Sequence, residues 1–227
     1  MMKFILNGAE VNAEENWSLL DAIKFYGINV PTICHNDGLT PYGVCRLCVV
    51  EIGEGSRSKL VASCMHPVKE GLKVRTHSKR VIKTRRMLIE LLVARCPTSK
   101  TLQDMAAQLG VKQVRFSPKN DDCILCGLCI RMCEEQMDSK AIGFVGRGRD
   151  RRITTPFDIK SDLCRTCGGC IYICPVCQLR CHGPEPSGVL CGGCANLTPT
   201  CLDYNDDVKC YMSDTACGTC IREPRQE

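Results

Sequence analysis

Most of the twenty-one cysteines in this 227-residue chain fall into runs whose spacing suits iron–sulfur chemistry. Two runs are regular, Cys123-x2-Cys126-x2-Cys129-x3-Cys133 and Cys164-x2-Cys167-x2-Cys170-x3-Cys174-Pro175. Intervals of two residues let successive thiolates wrap one face of a cubane, and the second run has the full C-x2-C-x2-C-x3-C-P pattern of 4Fe–4S ligands. The first has Glu134 where the second has Pro175, which removes no ligand. Gly127, Gly168 and Gly169 relieve backbone crowding where inorganic sulfide approaches. A third set, Cys34-x10-Cys45-x2-Cys48-x15-Cys64, supplies the four thiolates of a 2Fe–2S centre, two for each iron. Such centres pass single electrons and activate no substrate by themselves. No dinucleotide fingerprint, P-loop, flavin motif or hydrogenase metal-site domain accompanies them, so no residue is assigned a catalytic role.

Eight more cysteines crowd residues 177–227: Cys177, Cys181, Cys191, Cys194, Cys201, Cys210, Cys217 and Cys220. Taken in order they give Cys177-x3-Cys181-x9-Cys191-x2-Cys194 and Cys201-x8-Cys210-x6-Cys217-x2-Cys220. Alternatively, the two C-x2-C pairs share one site, and Cys177 and Cys181 join Cys201 and Cys210 in the other. Four thiolates suit zinc or a further 4Fe–4S cluster equally, so one or two extra zinc or cubane sites are expected. Apolar residues are sparse here and glycine and proline frequent, so metal is the natural organiser of this tail.

Bulk composition is that of a metalloprotein. One Trp and five Phe leave a modest apolar core, which metal must help to hold. No apolar stretch of 18 residues occurs, so no membrane span is expected. The N-terminus reaches charge and Asn7-Gly8 too soon for a signal peptide, and dense C-x2-C pairs in an unexported chain read as metal ligands; the expected location is cytoplasmic. The formal charge of +5 is offset by thiolates and gives no case for a nucleic-acid partner.

The elements that position these ligands divide the chain in four, in an α+β arrangement. Residues 1–77 read as a small β-rich domain. Lys3–Leu6 and Glu10–Asn12 flank Asn7-Gly8, a strong hairpin signal, and Ser18 caps a short helix over Leu19–Tyr26 stopped by Gly27. Leu47–Ile52 and Leu72–Thr76 are strand-prone. Residues 78–116 form a helical linker in which Val81, Ile82, Leu88, Leu91 and Leu92 mark the inner face and Lys79, Arg80, Lys83, Arg85 and Arg86 a solvated one. Residues 117–176 carry the two regular cysteine runs. Between the runs, Gly146-Arg147-Gly148-Arg149-Asp150-Arg151-Arg152 reads as a solvated hairpin tip.

Pro31-Thr32-Ile33-Cys34-His35 and Gly43-Val44-Cys45-Arg46-Leu47-Cys48-Val49-Val50-Glu51 resemble a known family. It comprises the N-terminal part of the large iron–sulfur subunit of complex I, the diaphorase small subunit of NAD-linked hydrogenases and NADH-linked iron hydrogenases. Pro67–Val74 and Arg85–Leu92 extend the likeness, which covers roughly residues 1–176. It implies a β-grasp fold for the 2Fe–2S domain. Residues 117–176 resemble a bacterial two-cluster ferredoxin, in which the fourth cysteine of each run serves the other cluster. That implies Cys123, Cys126, Cys129 and Cys174 for cluster A, and Cys133, Cys164, Cys167 and Cys170 for cluster B.

The chain departs from the family after Leu92. Relatives there carry a His and three cysteines for another cubane, whereas Cys96-Pro97-Thr98-Ser99-Lys100 runs straight into Leu102-Gln103-Asp104-Met105-Ala106. No cluster is expected at Cys96, which reads as a small buried apolar side chain. The resemblance implies an electron-transfer subunit of a soluble NAD(P)H-linked oxidoreductase complex. Its partners would be a flavin- and iron–sulfur-containing NADH-oxidising subunit and a second redox subunit, such as a hydrogenase, formate dehydrogenase or other reductase. Flavin-based electron bifurcation is compatible with this arrangement. The alternatives are a free-standing multi-cluster ferredoxin carrier and a regulatory metal-binding module.

Overall fold

Alternation of buried Phe4 and Leu6 with outward Lys3 and Ile5 makes Met2–Leu6 the first strand, β1. It pairs antiparallel with Ala9–Ala13 (β2), and Leu6 faces Ala9, so Asn7 and Gly8 alone form the turn. Their φ angles of 52° and 94° are both positive, as a type I′ hairpin demands. Asn7 also fastens the hairpin to the chain beyond it. Its Oδ1 accepts from the Thr76 amide at 2.8 Å and its Nδ2 donates to Thr76 Oγ1 at 2.8 Å. Val49–Ile52 (β3) lies antiparallel to Lys59–Ala62 (β4) and to Lys73–Arg75 (β5), while β5 runs parallel to β1. The resulting order is β2-β1-β5-β3-β4.

Leu19–Phe25 (α1) packs Leu19, Leu20, Ala22 and Ile23 into the core with Phe4, Leu6, Val50 and Val74. Ser18 starts the helix through a capping box: its Oγ accepts from the Asp21 amide at 3.2 Å, and Asp21 Oδ2 accepts from the Ser18 amide at 3.0 Å. One helix against a mixed five-stranded sheet is the β-grasp arrangement of a 2Fe–2S ferredoxin domain. The sequence did not reveal β4, a four-residue edge strand bounded by Ser58 and Ser63.

The computed structural model describes residues 1–176 apart from Asn120, Asp122 and Lys160. All eight tail cysteines, Cys177 to Cys220, therefore lie outside the described residues, as does the expected tail metal. Met1–Ala94 and Gln103–Ser117 form one compact unit; Arg95–Leu102 and the chain from Pro118 form the other.

Lys79–Arg95 (α2) begins where Ser78 Oγ accepts from the Val81 amide at 3.3 Å. Its buried residues are Val81, Arg85, Ile89, Glu90, Val93 and Ala94. This corrects the expected faces. Leu91 is 45% exposed, whereas Arg85, expected on the solvated face, is 2% exposed. Steps of four bring Val81, Arg85, Ile89 and Val93 into one inward row, and the Val49 carbonyl accepts from Arg85 Nη2 at 2.7 Å. Lys79, Arg80, Lys83 and Arg86 do face solvent. Only residues 96–99 separate α2 from Lys100–Gln108 (α3), and Cys96 is fully buried.

In the second unit, Leu128–Arg131 (α4) continues into a wide helical turn over Met132–Gln136. Gly143–Val145 (β6) and Arg152–Thr154 (β7) form an antiparallel hairpin, and Gly169–Tyr172 (α5) follows. Residues 146–150 at the hairpin tip are exposed, and the Arg151 guanidinium lies 4.0 Å over the Phe144 ring. Both ferredoxin domains combine sheet and helix, the α+β class expected. Among the described residues no helix is long and apolar enough to cross a membrane.

Replacing Ser18 by Ala removes the α1 cap, a loss of about 1 kcal/mol by comparison with other cap substitutions. Chemical denaturation of the full chain should show that loss, without a change in the clusters bound beforehand.

Candidate metal centres

Cys34 follows α1, Cys45 and Cys48 lie on the loop entering β3, and Cys64 sits on the Ser63–Met65 turn that leaves β4. All four are buried, at 1%, 9%, 1% and 2% exposure. The loop bends sharply to deliver two of them. Gly43 (φ 66°) and Arg46 (φ 61°) are both left-handed, and a Cβ on Gly43 would stand 2.5 Å from Met65 Cγ. Ser63 ties this loop to the Cys64 turn, its Oγ donating to the Cys48 carbonyl at 2.8 Å.

The four sulfurs form two close pairs. The Cys45 amide donates to Cys34 Sγ at 3.5 Å, and Cys48 Sγ and Cys64 Sγ share a hydrogen bond at 3.4 Å. As thiols, the pairs split. The hydrogen bond from Cys45 holds Cys34 well below the usual thiol range, and that from Cys64 does the same for Cys48. The same bonds, with burial, push Cys45 and Cys64 up. Cys64 also feels the charge of Cys34 and Cys45, so one environment holds all four. These are the four cysteines expected as 2Fe–2S ligands, and the structure brings them together.

The second unit repeats a local device. Leu125 (φ 56°) and Gly127 (φ 73°) precede α4, while Thr166 (φ 51°) and Gly168 (φ 70°) precede α5. In each run the third cysteine is the second residue of the short helix. Left-handed residues of this kind form backbone concavities that can hold anions. The Leu125 amide donates to Cys123 Sγ at 3.3 Å, and the Ala141 amide to Cys133 Sγ at 3.4 Å.

Charges on neighbouring cysteines act on several of these eight. Burial pushes Cys129 well up, followed by the charges of Cys126, Cys174, Cys123 and Cys170. Burial brings Cys170 up to about 12, followed by Cys133, Cys167 and Cys164. Cys123 is likewise raised by burial and then by Cys174. Cys174 therefore acts on cysteines of the first run and Cys133 on Cys170 of the second, while Cys170 also acts on Cys129. No group of three or more His, Cys, Asp or Glu side chains among the described residues is arranged to hold a lone metal ion. The fit to iron–sulfur clusters rests instead on the donor chemistry: sulfur neighbourhoods that are buried around Cys34, Cys45, Cys48 and Cys64 and partly buried in the second unit, with backbone amides directed at Cys34, Cys123 and Cys133.

Known proteins share this geometry. Residues 1–79 match the 2Fe-2S iron-sulfur cluster binding domain, and residues 122–178 the 4Fe-4S dicluster domain. The chain thus carries a 2Fe-2S cluster binding domain and a 4Fe-4S dicluster domain. It is similar to an NADH-quinone oxidoreductase subunit of Rhizobium meliloti (strain 1021), 32% identical across 78% of this chain and 23% of the relative. It is also similar to NADPH-Fe(3+) oxidoreductase subunit alpha of Geobacter sulfurreducens, 30% identical across 77% of this chain and 23% of that one. The chain therefore spans about a quarter of the length of these curated relatives. Among solved structures, a chain of the NAD+-reducing [NiFe]-hydrogenase in the H2-reduced state superposes with a TM-score of 0.60 at 28% identity, covering 68% of this chain and 74% of that one.

Among the described residues, Arg85 lies beside a candidate centre and is misplaced by the sequence pattern. The four-residue step linking Val81, Arg85 and Ile89 is the signal that could have found it.

The two units differ in what supports them. The first has a continuous apolar core from Phe4 to Val74, whereas the second buries a handful of residues such as Leu128, Ile142, Ile153 and Ile171 around its cysteines. Chelation of iron from the full chain should therefore expose residues 118–176 to limited proteolysis well before residues 1–94. Mass spectrometry of the first cuts checks this order.

Proposed function

We propose that this chain relays single electrons within a soluble, cytoplasmic NAD(P)H-linked oxidoreductase complex. One 2Fe–2S cluster is held by Cys34, Cys45, Cys48 and Cys64. One 4Fe–4S cluster is held by Cys123, Cys126, Cys129 and Cys174, and a second by Cys133, Cys164, Cys167 and Cys170. When bound, such clusters supply one-electron reduction at potentials from roughly −700 to +450 mV, a range that includes nicotinamide and flavin donors. The chain's own residues bury the four 2Fe–2S sulfurs, partly bury most of the others and aim backbone amides at Cys34, Cys123 and Cys133.

The observation that carries this reading is the presence of three sulfur neighbourhoods in one chain whose sequence holds no nucleotide or flavin motif. Two-electron donors and one-electron acceptors must then bind elsewhere. We assign those roles to a flavin- and iron–sulfur-containing NADH-oxidising subunit and a second redox subunit. The relatives, an NADH-quinone oxidoreductase subunit and an NADPH-linked oxidoreductase subunit, support the assignment. The eight tail cysteines would add one or two zinc or cubane sites.

Anaerobic purification at native abundance should bring down at least one flavin-containing partner. NADH or NADPH should then bleach the visible iron–sulfur absorbance of the complex and leave the isolated chain unchanged. Elution of the loaded chain alone, with no partner recovered by crosslinking, would favour a free-standing carrier.

A further inference from the structure

Arg85 presents a charge that no carboxylate among the described residues answers. Its side chain is buried at 2% exposure in the first unit, Nη2 donates to the Val49 carbonyl at 2.7 Å, and Nε has no hydrogen-bond partner. The buried carboxylates nearby in sequence are engaged elsewhere. Glu51 pairs with Arg75 at 3.4 Å and accepts hydrogen bonds from Ser78 and Ser58, while Glu90 pairs with Arg115 at 2.7 Å. An isolated buried charge costs several kcal/mol unless an opposite charge answers it. The anion that Arg85 does feel is Cys48, whose own carbonyl is one residue from the one that Arg85 grips.

We propose that Arg85 is the buried counter-charge of the 2Fe–2S centre and holds its reduction potential up. The inference rests on the ligand assignment above. Reduction places one electron, drawn from the nicotinamide-linked donor, on an already anionic site without taking up a proton. A fixed cation beside Cys48 stabilises that added charge more than it stabilises the oxidised state. Burial brings the guanidinium down to about 10, so it stays charged at neutral pH. The Val49 hydrogen bond fixes its distance from the ligand loop. Arg85 is in this sense a positioning residue: it acts on the potential through Cys48 and touches no substrate.

The test uses the full chain, purified anaerobically with its clusters, in a redox titration followed by the EPR signal of the reduced 2Fe–2S centre. At the potential where the unsubstituted centre is half reduced, Arg85→Gln should leave less than about one-tenth reduced. That is a tenfold fall in the ratio of reduced to oxidised centre, which corresponds to about 59 mV for a one-electron couple. Arg85→Lys should restore most of the shift, and the cubane signals should not move in either variant. Arg85→Met, which keeps the buried stem, replaces Gln where Gln does not hold the cluster. A neutral variant with an unmoved midpoint overturns the proposal, as does Arg85→Lys shifting as far as Gln. If both neutral variants lose the cluster and Lys keeps it, the charge is required and the proposal stands. If all three lose it, the role is packing and the proposal fails. Absence of any 2Fe–2S signal from the unsubstituted chain would instead refute the ligand assignment.

Discussion

Sulfur that must carry negative charge away from water is the constraint on which the described structure depends. A thiolate in a low-dielectric site is costly unless a metal, a hydrogen-bond donor or a fixed cation answers it. The chain uses several such answers within its separate units. In the first unit, close pairing lowers Cys34 and Cys48 at the expense of Cys45 and Cys64. In the second, burial raises Cys123, Cys129 and Cys170, and the left-handed backbone before α4 brings the Leu125 amide to Cys123 sulfur. Shielding from solvent matters for function as well as for stability, because hydrogen bonding to sulfur and solvent exposure help to set a cluster's potential.

The two units reach this end with different scaffolds. The β-grasp unit is a ferredoxin domain with a continuous hydrophobic core, and its four cysteines lie on loops and turns at strand and helix ends. A well-packed sheet can position loops that carry strain, and Gly43 and Arg46 show where strain is needed. The dicluster unit has short elements wound around its cysteines, so ligand and fold are nearly the same thing. The repeated φ pattern at Leu125-Cys126-Gly127 and Thr166-Cys167-Gly168 shows one backbone solution used twice.

Much of this is legible in the sequence because the signals are local. Asn7-Gly8 specifies a tight hairpin, Ser18 with Asp21 specifies a helix start, and the C-x2-C intervals specify ligand runs. What escapes the sequence depends on tertiary context. β4 is a short edge strand whose partner, β3, decides its state. Arg85 reads as a surface residue when charge is weighed above periodicity in α2, yet its row points inward. The cross-placement of Cys133 and Cys174 comes from likeness to two-cluster ferredoxins, since no local spacing encodes it. Residues 96–99 form a four-residue joint in which Cys96 is buried, as a small apolar side chain is expected to be.

The proposed three iron–sulfur centres within residues 1–176 would have a countable consequence, read by anaerobic iron and acid-labile sulfide analysis with low-temperature EPR. Truncating the chain after residue 176 would remove the tail's contribution, but the full chain is the safer sample, with zinc measured alongside. About ten iron atoms outside any tail cluster are expected, two from one 2Fe–2S and four from each cubane, with both signal types on reduction. Fewer than about eight iron atoms, or reduced spectra without a 2Fe–2S component, would contradict the three-centre assignment.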